Sequence, residues 1–382
     1  MRRMPWKESS KVTERMEFIV RYQQGERISD LSQEFGVSRQ TGHALVKRFK
    51  ERGAEGLGDR PSRPRTSPQR VAVAKVERIL GLRKSHPTWG PKKLKSRLEV
   101  LDPDIRWPAA STIGCIIGDA GLVKSRKRRR SATPTASSER RETKAPNELW
   151  CIDYKGQFRL GNRKYCYPLT VTDHFSRYLI GCESLEDTKT DGAMTTFWDL
   201  FERYGLPNAI RSDNGAPFAS TGRLGLTRLS IAFMRLGIEL ERIEPGKPQQ
   251  NGRHERMHLT LKQDTTRPPA QGFLAQQQKF DAFMHTFNTE RPHEALHMKT
   301  PSDLYQKSKR ELPKELPTLH YPLHDETAYV RANGCFEIAR LGISYIGKAF
   351  AGQKIGLREI ETGTWLVSFI ETDLGYLDIE TM

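Results

Sequence analysis

The positive charge of this chain is confined to its first third, and that division limits what the chain can fold into. Residues 1–144 carry 34 Lys and Arg against 16 Asp and Glu, a net of +18, whereas the 238 residues that follow carry 29 against 30. A merely basic surface would spread its charge more evenly. A block of this kind marks a separate region that meets a phosphate polymer, through counterion release and long-range attraction. At 382 residues the chain is also too long for one ordinary domain.

Other bulk properties narrow the field. The cysteines (Cys115, Cys151, Cys166, Cys182 and Cys335) are odd in number and never spaced Cys-x-x-Cys. That argues against a disulfide framework and a cysteine-based zinc site. No apolar run approaches a membrane span, and Met1-Arg2-Arg3-Met4-Pro5-Trp6 is not followed by an apolar signal core. A cytoplasmic chain with no membrane partner is expected.

Within the basic block, Val12, Met16, Ile19 and Val20 recur at helical spacing. Ile28, Leu31 and Phe35 share a second helical face, Gly36 breaks it, and Ser38 is placed to cap a third helix. In that helix Thr41, Leu45 and Phe49 are expected to pack inward, leaving Arg39, Gln40, His43 and Lys47 outward. This is a helix-turn-helix pattern whose last helix offers groups suited to phosphates and base edges; the alternative is a generic helical pair with a solvated face. Arg60 to Pro68 is a Pro/Arg-rich linker, with Arg63 and Arg65 expected along DNA. From Arg70 to Val123, Val73, Val76, Ile79, Leu80, Leu94, Leu98, Ile113, Ile116 and Ile117 suggest a second helical unit. A second helix-turn-helix is the preferred reading and a structural spacer the alternative. Lys124 to Lys144, with Arg128, Arg129 and Arg130, is basic, polar and aperiodic, a linker expected to order on DNA.

After residue 144 the texture changes. Strands are predicted over 149–154, 165–173, 178–182, 209–212 and 241–243, and helices over 190–204, 226–236 and 252–265. The order βββαβαβα describes an α/β mixed sheet. From Tyr321 onward, alternating Phe336, Ile338, Leu341, Ile343, Tyr345, Ile355, Leu357, Trp365 and Val367 suggest a small β-barrel or β-sandwich. The expected divisions are a helix-turn-helix domain (1–59), a linker (60–69), a second helical DNA-binding domain (70–123), a basic linker (124–144), a catalytic core (145–305) and a C-terminal β-barrel (306–382).

Three carboxylates occupy telling positions. Asp153 interrupts an apolar strand, where a charge is costly unless it binds something. Asp213 follows a strand and precedes the turn-forming Asn214-Gly215, and Glu255 falls in the first turns of a helix. Taken singly, each has a plain structural reading as an arginine partner, a turn former or a helix-face charge. Together they could converge on one or two Mg²⁺ ions, hard cations that prefer oxygen ligands and that in pairs clamp a phosphoryl displacement.

The segments around these acids, Trp150-Cys151-Ile152-Asp153-Tyr154, Ser212 to Phe218 and Pro245 to Arg256, resemble the three catalytic blocks of the integrase core. That core is shared by bacterial DDE insertion-sequence transposases and retroviral integrases. Val171 to Arg177 and Asn288 to Leu296 resemble further segments of the same family. The resemblance implies an RNase H-like fold and catalysis by Asp153, Asp213 and Glu255 holding Mg²⁺ or Mn²⁺. It also implies a homo-oligomer on double-stranded DNA (element ends and target) in a bacterial, nucleoid-associated setting. Arg253 and Lys262 are expected to hold DNA phosphate beside the metals, although a plain solvated lysine is equally open for Lys262. For Asp173 a turn-forming or arginine-paired role is preferred to a fourth ligand. Two departures stand against the retroviral version: Thr221–Ser230 reads as an extra loop before Glu255, and no His/Cys zinc module precedes the core.

Overall fold

The computed structural model describes residues 10–59, 70–123, 141–220, 222–244, 252–338 and 342–378. They divide into two compact units, Met1–Arg70 and Val71–Met382.

The first unit is a helical trio: α1 (Lys11–Gln23), α2 (Ile28–Glu34) and α3 (Arg39–Arg52). Ser10 and Ser38 cap α1 and α3 by accepting the backbone N–H of Thr13 and Thr41. Phe18, Ile19, Leu31, Leu45, Val46 and Leu57 form its core. Two expected faces are rotated. Val12 and Val20 are exposed and Phe18 is buried instead; Thr41 is exposed, with Gly42 in its place. The cause is close helix approach: a Cβ on Gly42 would lie 2.7 Å from Ser32 Oγ and 2.9 Å from Ile28 Cγ2. Only glycine lets α3 settle onto α2, and that contact fixes which residues turn outward.

The second unit opens with α4 (Val73–Ser85), α5 (Pro91–Leu101) and α6 (Ala110–Asp119), packed around Ile79, Trp89, Leu94, Leu98, Trp107, Ile113 and Ile117. Pro91 starts α5, where its missing N–H costs nothing. Val73, expected inward, is exposed.

A mixed sheet follows, built from β1 (Leu149–Tyr154), β2 (Phe158–Arg159), β3 (Tyr165–Asp173), β4 (Leu179–Leu185), β5 (Ala209–Ser212) and β6 (Glu239–Arg242). β4, β3 and β1 pair antiparallel, then β1, β5 and β6 pair parallel; short β2 pairs with the start of β3. Side chains alternate across β1. Trp150 and Ile152 face α7 (Thr190–Tyr204) and α8 (Arg228–Arg235), packing with Phe197, Phe201 and Phe233. The opposite face lies under α9 (Gly252–Thr265) and α10 (Phe273–His285), through Cys166, Cys182, Met257, Leu261, Phe280 and Phe283. Cys151 and Asp153 point to that side. Arg211, 3% exposed, pairs with Glu241 at 2.7 Å between β5 and β6. The supposed extra loop is only partly a loop: Arg228–Ser230 begin α8, and Leu226 and Ile231 pack into the C-terminal core.

The C-terminal strands are β7 (Glu326–Tyr329), β8 (Cys335–Ile338), β9 (Gly342–Tyr345), β10 (Lys354–Glu361), β11 (Thr364–Phe369) and β12 (Thr372–Asp378). They form a four-stranded antiparallel sheet, β12-β11-β10-β7, and a separate β8-β9 hairpin. Among the described residues no strand pairing closes a barrel, contrary to expectation. Ile343 and Tyr345 face solvent for the same reason, because the hairpin turns only Phe336 and Ile338 inward. Leu341 lies outside the described residues.

Asn288, 4% exposed, ties the end of the α10 segment to β4: its amide nitrogen donates to the Leu179 carbonyl (2.9 Å) and its oxygen accepts from Leu179 N–H (2.8 Å). Asn288→Ala would leave both backbone groups buried without this partner. It is expected to destabilise the chain by about 2–4 kcal/mol in urea unfolding.

Candidate active site

The sheet brings two of the three acids together by register. β1 and β5 run parallel with Cys151 opposite Arg211, and two residues further along each chain come Asp153 and Asp213. They lie side by side at the C-terminal ends of adjacent strands, which are spaced about 4.8 Å apart. Ligands of open α/β sheets bind outside such strand ends. The turn after β5 is anchored twice. Asp213 Oδ1 accepts Gly215 N–H (3.2 Å), and Asn214 Nδ2 donates to the Ile243 carbonyl beyond β6 (2.8 Å).

Glu255 comes from α9, and its helix is held by two residues not singled out from the sequence as site residues. Thr170 Oγ1 donates to the Asp153 carbonyl (2.9 Å) and lies 2.7 Å from both His254 Nε2 and His258 Nε2. Having given its one proton to that carbonyl, the hydroxyl accepts from both rings. His254 Nδ1 then accepts from Thr172 Oγ1 (2.8 Å), and His258 Nδ1 faces Asp153 Oδ2 at 3.8 Å. Both imidazoles are neutral in this arrangement. Burial pushes His254 well below its ordinary range, and burial followed by the charge of Lys155 pushes His258 down to about 3. The i, i+4 spacing of the two histidines was the available sequence signal.

Asp153 is the electrostatic centre. Burial first, then the charge of Asp213, push its carboxyl up to about 7; a backbone hydrogen bond from Tyr154 opposes this and Glu255 adds to it. Asp213 and Glu255 thus lie within electrostatic reach of one buried acid. Asp153, His254 and His258 present ligand atoms within 4.8 Å of one another. His254 has both nitrogens committed, however, so Asp153 and His258 Nδ1 are the available pair. A buried carboxyl whose proton affinity is raised by burial and by neighbouring carboxylates fits a divalent cation, which relieves the same repulsion.

The accessory residues are dispersed. Glu255, Leu259 and Lys262 are exposed on the outer face of α9, while His258 faces inward. Arg253 is exposed and donates to the His174 carbonyl (3.2 Å). Asp173 is a turn former: its carboxylate accepts from Asn147 N–H, Ser176 N–H and Ser176 Oγ. Arg39, Gln40, His43 and Lys47 are all exposed on α3. Arg63, Arg65, Arg128, Arg129 and Arg130 lie outside the described residues. No helix among the described residues is long and apolar enough to cross a membrane.

A mixed sheet with acids at its parallel strand ends, covered by a helix bearing a third and preceded by helical units, defines the class of integrase-core proteins. Models described as an integrase core domain match residues 143–248 and 236–301. A helix-turn-helix domain matches residues 14–65 and a homeodomain-like domain residues 41–117. Residues 143–301 thus match an integrase core, and the basic front of the chain matches helix-turn-helix and homeodomain-like domains. Among similar proteins, the Gag-Pol polyprotein of Baboon endogenous virus (strain M7) is 30% identical over 203 residues, covering 52% of this chain and 11% of that one. The insertion element IS407 uncharacterized 31.7 kDa protein of Burkholderia multivorans is 28% identical over 202 residues, 50% of this chain and 66% of its own length. The insertion element IS476 uncharacterized 39.2 kDa protein of Xanthomonas euvesicatoria is 29% identical over 187 residues, 48% of this chain and 50% of its own. The chain spans less than two thirds of each of these relatives.

The raised Asp153 carboxyl has a consequence for stability without metal. Native Asp153 keeps its proton to about pH 7, whereas its ordinary value is 3.8. Between those values the native state holds the extra proton, so stability from this group falls as pH rises and is fully lost above about 7. Asp153→Asn is expected to be near neutral at pH 4 and to stabilise the chain by about 2–4 kcal/mol at pH 8 in EDTA. Urea unfolding at both pH values measures the difference, and an equal effect at both would contradict this electrostatic account.

Proposed function

We propose that this chain is a transposase that binds the terminal repeats of a mobile DNA element, hydrolyses the phosphodiester at each end and joins the freed 3′-hydroxyl to target DNA. The observation that carries this reading is the placement of Asp153 and Asp213 at the ends of adjacent parallel strands, within electrostatic reach of each other and of Glu255 on α9. Its setting in an integrase core behind helix-turn-helix domains supports it.

Asp153, Asp213 and Glu255 would hold Mg²⁺ or Mn²⁺, with two ions the reading adopted, and when bound these supply Lewis-acid polarisation of a phosphodiester and a clamp on its entering and departing oxygens. The chain's own residues supply the frame. Thr170 fixes the backbone at Asp153, the two histidines seat α9 against the sheet, and Asn214 sets the angle of Asp213. In the first step water displaces the 3′-oxygen from phosphorus and that oxygen takes a proton. In the second the hydroxyl forms a new bond to phosphorus of the target while the target's own 3′-oxygen departs. Neither step needs a nucleophilic side chain. Arg39, Gln40, His43 and Lys47 would read the element end from α3, with Arg63, Arg65, Arg128, Arg129 and Arg130 along the backbone and Arg253 and Lys262 near the cut. The domain divisions 1–59, 70–123, 145–305 and 306–382, a homo-oligomer bridging two ends, and a cytoplasmic, nucleoid-associated location belong to the same reading.

The test is strand transfer of pre-cleaved end DNA in Mg²⁺ or Mn²⁺. Asp153→Asn, Asp213→Asn and Glu255→Gln are each expected to lower joining by about a thousandfold or more while keeping end binding, as loss of a charge-stabilising group does. Specific binding without metal-dependent joining in the wild type would identify a DNA-binding regulator instead. In the front domain, Lys47→Ala is expected to weaken binding to all duplexes alike and to lower the salt slope by about 1, measured by anisotropy across a salt series.

A further inference from the structure

Apart from the bond of Thr172 to His254, Val171–Arg177 and Asn288–Leu296 have no part in the carboxylate site, yet they meet around one cavity of about 80 Å³. It lies between the sheet, α9 and α5, the helix contributed by the α4–α6 bundle. Lys93, Arg177, Arg253, Arg256, Arg291 and His293 line it. One carboxylate, Asp173, also lines it, and its oxygens are engaged by Asn147 and Ser176. The neighbouring acids do not line it, although Asp264 acts on Arg291 and Glu294 on Lys93 from outside. Glu294 pairs with Lys92, Glu290 with Arg97 and His86, and Asp264 lies near Arg291.

Five cations around one small cavity are costly without an anion to balance them. Burial and then the charge of Arg291 push Lys93 down to about 8, and burial followed by Arg253 and Arg256 lowers Arg177. One hydrogen-bond donor is also left over. The Nε of Arg291, a donor, is buried with no hydrogen-bond partner. An unpartnered guanidinium N–H amid cations suits a ligand with several acceptor oxygens and negative charge. The cavity exceeds the space needed for a single water several-fold.

We propose that this cavity is a phosphate-binding site, separate from the Asp153 centre, which seats a backbone phosphate of duplex DNA between α5 and the catalytic core. The phosphate chemistry follows from the cavity alone, and the DNA source rests on the transposase reading. Because Lys93 comes from the helical bundle and the arginines from the core, one phosphate would be gripped by both. A duplex docked on the bundle would thereby be set in register with the strand ends that carry Asp153 and Asp213.

Two arms test this on the full chain in EDTA. In the first, inorganic phosphate at millimolar concentration is compared with chloride at equal ionic strength. It is expected to raise the Tm by about 2–4 °C in the wild type and in Asp153→Asn, and to have no effect in Lys93→Met or Arg177→Gln. Two variants are used so that a folding defect in one, checked by circular dichroism, leaves the other to decide. In the second arm, Lys93→Met is expected to lower the salt slope of duplex binding by about 1. No phosphate shift in the wild type, or an undiminished shift in the variants, overturns the site. A phosphate shift abolished by the variants with an unchanged DNA slope keeps the phosphate site and overturns its DNA source. Failed strand transfer with the phosphate shift intact counts against the transposase reading alone.

Discussion

The hydroxyl of Thr170 joins the two elements that carry the candidate active site. It donates to the backbone of β1 at Asp153 and accepts from two histidines of α9. Without that junction the helix bearing Glu255 would lose two of its directional bonds to the sheet and rest more on apolar contacts, which are non-directional and tolerate sliding. Directional bonds from His254 and His258 set the rotation of α9, so that Glu255 lies on its outer side within electrostatic reach of Asp153. The arrangement is built from neutral groups. Burial keeps both imidazoles uncharged, leaving the negative charge of the acids to be balanced by something from outside.

The molecule keeps its charge in two separate settings on the same helix. At the parallel strand ends lie Asp153 and Asp213, with Glu255 exposed on the outer face of α9 within electrostatic reach of Asp153. Toward α5 the same helix presents Arg253 and Arg256 to Lys93, Arg177 and Arg291, a basic cavity suited to phosphate. A polynucleotide needs both, one to hold it and one to act on it. Opposite charges on successive positions of one helix place the two tasks a short distance apart.

The helical bundle α4–α6 is bound to the core by polar contacts of modest strength, such as Arg97 with Glu290 at 3.6 Å and Lys92 with Glu294 at 3.4 Å. An exposed ion pair such as Lys92–Glu294 contributes roughly 0–1 kcal/mol, and Arg97–Glu290 is partly buried. A shared phosphate would add a bridge that neither part possesses alone, so the docking of DNA and the seating of the bundle would reinforce one another.

Much of this was legible in the sequence, because the signals are local. The two strand-borne acids stood out as charges in or beside apolar runs, α9 was bounded correctly at 252 and 265, and Ser38 announced the start of α3. The misses were matters of facing and closure. Thr41 was expected inward until the close approach of α2 and α3 at Gly42 rotated it out. Ile343 and Tyr345 alternate as a barrel strand should, yet the hairpin that holds them closes no barrel among the described residues. His254 and His258 read as ordinary helix residues until the helix was laid on Thr170. Lys93, Arg177 and Arg291 are far apart in the chain, and no periodicity links them. Periodicity, capping and charge segregation act within a few residues, so the sequence by itself determined most of the elements and their order, and marked three acids as candidates. Which side chains meet depends on strand register and helix rotation, set by packing between distant segments, and the tertiary structure alone decided the histidine–threonine junction and the basic cavity.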